Sequence, residues 1–398
     1  MNRRSFIKIA GAAGLVASFP LYSKAPEKKP VLIGLDGEFG FAASTSAQAI
    51  QAGIEIAIAE INAAGGVLGG RPLGVVARDN RTVPARSRQN LRDFSAIPNL
   101  VAVYCGRFSP TVIETIDDIH RLKLPLLDPW AAADIITEHH HVPSYTFRLS
   151  LRDSWAMPAI MRHARKKDIK AIGFLALNTS WGRGNEKALN SYLSQQKEGQ
   201  WLVDSRWFFN LEKREGMLQR YMDLKRAGAH AIVLVANDVE ASELIKGMAS
   251  FPKEDRVPIL AHWGITGGDF AGQCGEALKN VDLSVVQTYS FIGATRPQAS
   301  RVIESAKQIM RVDSERKLLS PVGIAHAYDL THILARAIDL AGSADRSKVR
   351  DALEQVRNYS GLIRDYPEPF TATRHDALSE SDVFMSRYDT DHALVRVD

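Results

Sequence analysis

Few residues in this chain announce a chemistry outright. Among 398 residues there are two cysteines, Cys105 and Cys274, set far apart, so the chain does not depend on a disulfide framework. No P-loop, no G-x-S-x-G and no G-x-G-x-x-G following a strand is present. After the first two dozen residues no apolar run is long enough to cross a bilayer, and no internal repeat or low-complexity segment stands out. An excess of one charge is missing too. The formal net charge is +5, and removing the first 25 residues, which hold Arg3, Arg4, Lys8 and Lys24 and no acid, leaves +1. That balance argues against nucleic acid, which needs a basic patch with groove-reading or stacking elements. What remains, 45% hydrophobic and 24% charged, is ordinary soluble material of a length for two domains.

The first residues carry an address. Asn2-Arg3-Arg4-Ser5-Phe6-Ile7-Lys8 precedes the apolar run IAGAAGLVASFPLY, a pattern that looks like a twin-arginine export signal and implies a periplasmic destination. Ser23-Lys24-Ala25 has the small-residue spacing of a cleavage site, but Pro26 follows and hinders cleavage there. No cysteine near the end of the apolar run offers a lipid anchor.

The densest information lies between Val31 and Asn80. VLIGLDGEFGF reads as a buried strand followed by a polar, Gly-rich crest. Ile50, Ile54, Ile58 and Ile61 then recur at helical spacing, Gly65 and Gly66 stop the helix, and Leu73 to Ala77 is an apolar run of strand length. This is one βαβ unit. Ligands of open parallel sheets sit beyond the carboxyl ends of the strands, which places the crest from Asp36 to Ser46 beside a small molecule.

The phrase EINAAGGVLGGR from Glu60 to Arg71, set between two strands, resembles the leucine/isoleucine/valine-binding family of periplasmic solute receptors. The resemblance continues in order through YCGRFSP, PLLDP, FRLSLRD, SWGRG, HWGIT and the closing SGLIRDYPEPFTATRHD. It implies an α/β fold of two doubly wound parallel-sheet lobes joined by a hinge, the type I periplasmic binding protein arrangement. Strand patterns at Val31 to Leu35, Leu73 to Ala77, Leu100 to Cys105, Leu124 to Leu127, Lys170 to Leu177, Ala231 to Ala236, Pro258 to Ala261 and Leu283 to Tyr289 alternate with helical ones such as Thr111 to Arg121, Asn185 to Gln195, Met217 to Arg226 and Val239 to Ser250. The expected division is a signal and linker over 1–29, a first lobe of 30–149 plus 290–358, and a second of 150–289 plus 359–398. Crossings fall near Phe147 to Asp153 and near Gln287 to Phe291, and the helical region Ala299 to Val356 returns to the first lobe. The tail strands, Ser381 to Tyr388 and Ala393 to Val397, finish the second. The cysteines would then lie in different lobes, where a disulfide would block the hinge.

Function in such a fold is closure of two lobes on a ligand, so both contribute residues. From the first lobe the resemblance maps the loop Cys105 to Thr111 onto the ligand, with Ser109 and Thr111 as hydroxyls for a carboxylate or as caps of the next helix. Phe108 sits in the same loop. The following crest supplies Trp130, Ala131 and Ala132, an aromatic wall where the family usually offers a small residue and a hydroxyl. Phe39, Phe41 and Ser46 are the nearest candidates of the first crest. From the second lobe, Trp181 takes the place of a tyrosine that lies against the ligand, Asn237 ends a strand, and His262-Trp263 falls where amino-acid binders place an acid for the α-ammonium. An unpartnered buried ammonium costs several kcal/mol. The missing acid therefore turns the reading from free amino acids towards aromatic or organic acids and amides, with Asp36, Glu38 or Asp238 left as substitutes. Arg107 is a further anion partner, and Arg148 is read as structural.

Glu138-His139-His140-His141 invites a metal, but consecutive imidazoles are expected to point apart, so a solvated loop is the expectation and neither a metal nor a cofactor is assigned. No histidine is evidently poised to activate Cys105, so no catalytic residue is assigned and an enzyme is not expected. The reading is a monomeric receptor for an amino acid-like, aromatic or amide solute, partnered by a membrane permease of the ATP-binding-cassette type. A sensory module feeding a signalling receptor is the alternative.

Overall fold

Short apolar runs separated by helical stretches pair side by side, because strands buried on both faces are covered by helices on both sides. The computed structural model describes residues 28–41, 44–196 and 199–397, and the expected export signal lies outside them. In chain order the first lobe opens with β1 (Val31–Gly37), α1 (Ser46–Ala63), β2 (Leu73–Asp79), α2 (Pro84–Ser95), β3 (Leu100–Cys105), α3 (Ser109–Ile113), α4 (Ile116–Arg121), β4 (Leu126–Asp128) and β5 (Thr146–Arg148). The five strands form one parallel sheet in the order β2-β1-β3-β4-β5. The isoleucine stripe of α1 faces the core, with Ile50 and Ile54 fully buried. The helix stops where Gly65 and Gly66 take φ of 106° and 73°, a left-handed backbone that glycine adopts without penalty.

The chain then crosses into α5 (Asp153–Lys166), β6 (Ala171–Leu177), α6 (Ser180–Ser194), β7 (Trp201–Phe208), α7 (Arg214–Arg226), β8 (Ala231–Val235), α8 (Asp238–Met248), β9 (Ile259–Ala261), α9 (Phe270–Cys274) and β10 (Leu283–Gln287). It returns as α10 (Ala299–Met310), α11 (Pro321–Ala341) and α12 (Arg346–Leu353), continues through β11 (Tyr359–Ser360) and β12 (Asp365–Tyr366), and ends in β13 (Phe384–Tyr388) and β14 (Leu394–Arg396). The second sheet runs β14-β13-β10-β9-β8-β6-β7. It is parallel from β7 to β10, and its last two strands are antiparallel. Two α/β lobes built on parallel sheets are therefore present, as expected, and the two tail strands add an antiparallel edge to the second. Among the described residues no helix is long and apolar enough to cross a membrane.

Three local readings differ from the sequence expectation. The strand β7 escaped notice because it is an edge strand: Trp201 is half exposed, and Asp204, Ser205 and Arg206 interrupt any apolar run. The expected helix Thr111 to Arg121 breaks into α3 and α4 at Glu114 and Thr115. The segment after Tyr359, expected with the second lobe, packs on the first. The Asp329 carboxylate, fully buried in α11, accepts the hydroxyls of Tyr359 at 2.8 Å and Tyr366 at 2.9 Å and the amides of Leu362 at 2.7 Å and Ile363 at 3.0 Å. His375 then pairs its backbone with Arg148 of β5, and the chain joins the second sheet only at Phe384.

Each sheet has one point where successive connections leave in opposite directions, beside β1 in the first and β6 in the second. Crevices form at such points. The carboxyl ends of β1 and β3 face those of β6 and β8, and the space between them holds the site.

Candidate functional site

A cavity of about 320 Å³ opens between the lobes, at the lower end of the range for small-molecule pockets. From the first lobe it is lined by Phe41, Thr82, Arg107 to Thr111, Trp130 and Ala132. From the second come Leu177, Thr179, Trp181, Asn210, Leu211, Asn237, Val239, Glu240, Trp263 and Gly264. These are the crests that follow β1 to β4 in the first lobe and β6 to β9 in the second. A groove of about 370 Å³ beside β14 touches none of the crests after β3, β4, β6 or β8, so the interlobe cavity is the candidate site.

Of the residues singled out in the sequence, Phe108, Ser109, Thr111, Trp130, Ala132, Trp181, Asn237 and Trp263 line this cavity. Four do not. Ser46 is fully buried and donates its hydroxyl to Glu38. Phe39 packs onto the main hydrophobic core. Ala131 is buried and gives its amide to Asp128 Oδ1 at 2.7 Å. His262 stands behind the wall, its Nε2 at 3.1 Å from Asp153 Oδ1 and its ring edge-on to Trp181 at 5.0 Å. Asp153 also accepts the Trp181 indole N–H at 3.2 Å, which fixes the plane of that indole.

Ser109 does not cap its own helix. Its Oγ accepts the amides of Ala132 at 3.1 Å and Ala133 at 3.2 Å, joining two crests and leaving its hydroxyl proton free for an acceptor in the cavity. The tryptophans form a wall: Trp130 and Trp263 approach with ring centroids 5.8 Å apart. Phe41 meets Phe108 edge-on at 5.8 Å, and the Arg107 guanidinium lies over the other side of that cluster, 4.6 Å from the Phe108 centroid.

Arg107 is not a free anion partner. It reaches into the second lobe, where Nη2 donates to Asp238 Oδ1 at 2.8 Å and Nη1 to the Gly264 carbonyl at 3.1 Å. Gly267 is required beneath it, since a Cβ there would fall 1.6 Å from the guanidinium. The Thr45 backbone N–H also donates a hydrogen bond to the Gly267 carbonyl at 2.9 Å. The lobes are thus clasped by a buried ion pair and by backbone.

The structure places in the cavity an acid that the sequence reading did not single out. Glu240, in the first turn of α8, lines the cavity and is 3% exposed. Its Oε1 accepts the Leu211 amide at 2.6 Å, while Oε2 is buried without a hydrogen-bond partner. Burial raises its pKa, opposed by the Leu211 amide and the charge of Arg107. The acids held open as substitutes are engaged elsewhere. Asp36 is bound by Asn80, Ser87 and Asn90. Glu38 is taken by Ser46, and Asp238 by Arg107 and Gln273. The signal for Glu240 was its place one turn after the Ala231 to Ala236 strand pattern, at the start of a helix.

The profile of the periplasmic binding protein family matches residues 30–393. Comparison with curated proteins finds no match. Among solved structures, a periplasmic binding protein type 1 from Bordetella pertussis Tohama I is similar at 20% identity and a TM-score of 0.80, covering 93% of this chain and 100% of that one. The branched-chain amino acid transporter substrate-binding protein LivJ of Streptococcus pneumoniae, in complex with isoleucine, is similar at 19% identity and 0.76, covering 93% and 100%. An ABC transporter solute-binding protein of R. palustris, in complex with 4-hydroxybenzoate, follows at 16% and 0.76, covering 93% and 96%. With a profile spanning both lobes and their paired crests, this chain belongs to the periplasmic binding protein family.

Proposed function

We propose that this protein is the periplasmic receptor of an ABC-type uptake system, exported through its twin-arginine-like signal. It captures a small carboxylate or amide that also carries a hydrogen-bond donor and an apolar or aromatic body, and passes it as a monomer to a membrane permease. The observation that carries this reading is the pairing of Ser109 and Thr111 from one lobe with the unpartnered Glu240 Oε2 from the other, across a cavity walled by Trp130, Trp181 and Trp263. The Ser109 hydroxyl suits an anionic or carbonyl oxygen, and the Thr111 hydroxyl, which donates to the Thr82 carbonyl at 3.4 Å, would have to turn to join it. A buried carboxyl oxygen without a partner is costly and is relieved by a ligand N–H or O–H. Tryptophan faces suit a flat or branched apolar body. Isoleucine in the S. pneumoniae protein and 4-hydroxybenzoate in the R. palustris protein both join a carboxylate to a donor, and either arrangement matches these walls.

The test is thermal unfolding of the mature protein against amino acids, hydroxylated and plain benzoates, amides and fatty acids. A ligand at a hundred times its dissociation constant adds about 2.7 kcal/mol. The expected result is a response to donor-bearing ligands that Glu240→Gln weakens by roughly tenfold or more, the scale of a hydrogen bond to a charged group. A response confined to plain benzoate or fatty acids, equal in both proteins, would overturn the reading.

A further inference from the structure

We propose that the first lobe carries a divalent transition-metal site formed by Asp117, His140 and His141, apart from the solute cavity. One ligand atom from each of the three lies within 4.8 Å of the other two. The imidazoles of His140 and His141, expected to diverge as sequence neighbours, instead lie with ring centroids 4.3 Å apart, and His141 Nε2 stands 2.8 Å from Asp117 Oδ1 of α4. The loop is bent towards the helix, so side chains from two elements converge on one point.

The surroundings hold this arrangement in place. His120 stacks on His141 with centroids 4.0 Å apart and rings nearly parallel. Its own nitrogens are occupied, Nδ1 by the Ile116 carbonyl at 2.7 Å and Nε2 by the Tyr145 amide at 3.0 Å. It is therefore a fixed wall that positions a ligand. His139 turns inward, its Nε2 at 2.9 Å from Thr146 Oγ1, and anchors the start of the pair.

Two imidazole nitrogens and one carboxylate oxygen, with the remaining positions open to water, form a donor set suited to Zn²⁺, with Ni²⁺ and Cu²⁺ as competitors. Donors on one tetrahedral zinc lie about 3.4 Å apart. Asp117 and His140 are exposed enough to rotate into that spacing. None of these residues lines the interlobe cavity, so metal and solute bind independently.

The experiment is a competition titration of tag-free mature protein with Zn²⁺ against a chromophoric chelator, repeated for His140→Ala/His141→Ala, for Asp117→Asn, and for His230→Ala as an exposed histidine elsewhere. The expected result is one Zn²⁺ per chain, at least tenfold weaker in the first two variants and unchanged in the third. Absence of zinc binding in the parent protein would overturn the site, as would equal affinity in all four proteins. Because Asp117→Asn keeps every histidine, its loss of affinity separates a built site from general imidazole capture.

Discussion

Asp128 shows how a single side chain at a strand end sets a pH response. It is fully buried, with Oδ1 accepting the amides of Trp130 at 2.9 Å and Ala131 at 2.7 Å and with Oδ2 unpartnered. Burial outweighs the nearby charge of Arg148 and these bonds, and pushes the carboxyl up to about 7. The folded chain therefore keeps a proton that the unfolded chain releases near the ordinary aspartate value. The stabilisation from this group is complete below about pH 4 and is lost as the pH rises through 7. Asp128→Asn is neutral throughout. Relative to that variant, the parent protein should lose on the order of 4 kcal/mol between pH 4 and pH 8, read by chemical denaturation of both proteins at each pH. A difference independent of pH would mean that the carboxyl is already ionised in the fold. At the same scale, Glu240 and Asp238 are two positions apart on one helical turn with opposite circumstances, one unpartnered in the cavity and the other held by Arg107.

Among elements, the contact between α1 and α11 anchors the first lobe. The two helices meet at Gly53, where a Cβ would stand 2.2 Å from the Ile324 carbonyl oxygen and 3.0 Å from its carbon. Backbone cannot yield there as a flexible side chain would. Gly53→Ala should therefore destabilise the protein by about 1–3 kcal/mol, although alanine is the better helix former by about 1 kcal/mol. A lowered denaturation midpoint at unchanged slope is the expected signature, and a raised midpoint would show that the helices can separate at little cost. Tyr328 of α11 and Arg301 of α10 both reach Glu60 of α1, each at 2.7 Å. Against burial, the His332 imidazole 3.3 Å from Glu60 Oε2 and these two bonds hold Glu60 down to about 2, and they tie the returning helices to the first βαβ unit.

For the molecule as a whole, closure depends on what crosses between the lobes. Arg107 and Asp238 are each almost wholly buried in that crossing. Removing one partner of a buried pair costs about 3–5 kcal/mol, and here the cost falls on the closed arrangement. Arg107→Met should open the ligand-free protein, seen as a larger radius of gyration in solution scattering, and should weaken the best solute of the panel by tenfold or more. The double variant Arg107→Met/Asp238→Asn, which leaves no buried charge, should recover part of the closure. Unchanged scattering in the single variant would place the clasp elsewhere, with the Thr45 to Gly267 backbone bond as the next candidate.

The alternation of strand and helix, the glycine stop after α1 and the crests carrying Ser109, Trp130, Trp181 and Trp263 were all readable in one dimension. The alternation and the stop rest on periodicity and on glycine, signals that act over a few positions along the backbone, whereas the crests were placed by resemblance to the family. Partnership is different. That Arg107 finds Asp238, that Glu240 is left unpartnered, that His262 stands behind Trp181, and that Asp329 holds residues after Tyr359 on the first lobe all depend on groups brought together from distant parts of the chain. A buried charge takes whichever donor the packing brings within about 3 Å, and no local pattern records that choice. The chain's own order thus determined the lobes and the position of their crests, and the packing of one lobe against the other decided which polar groups remain free for a ligand.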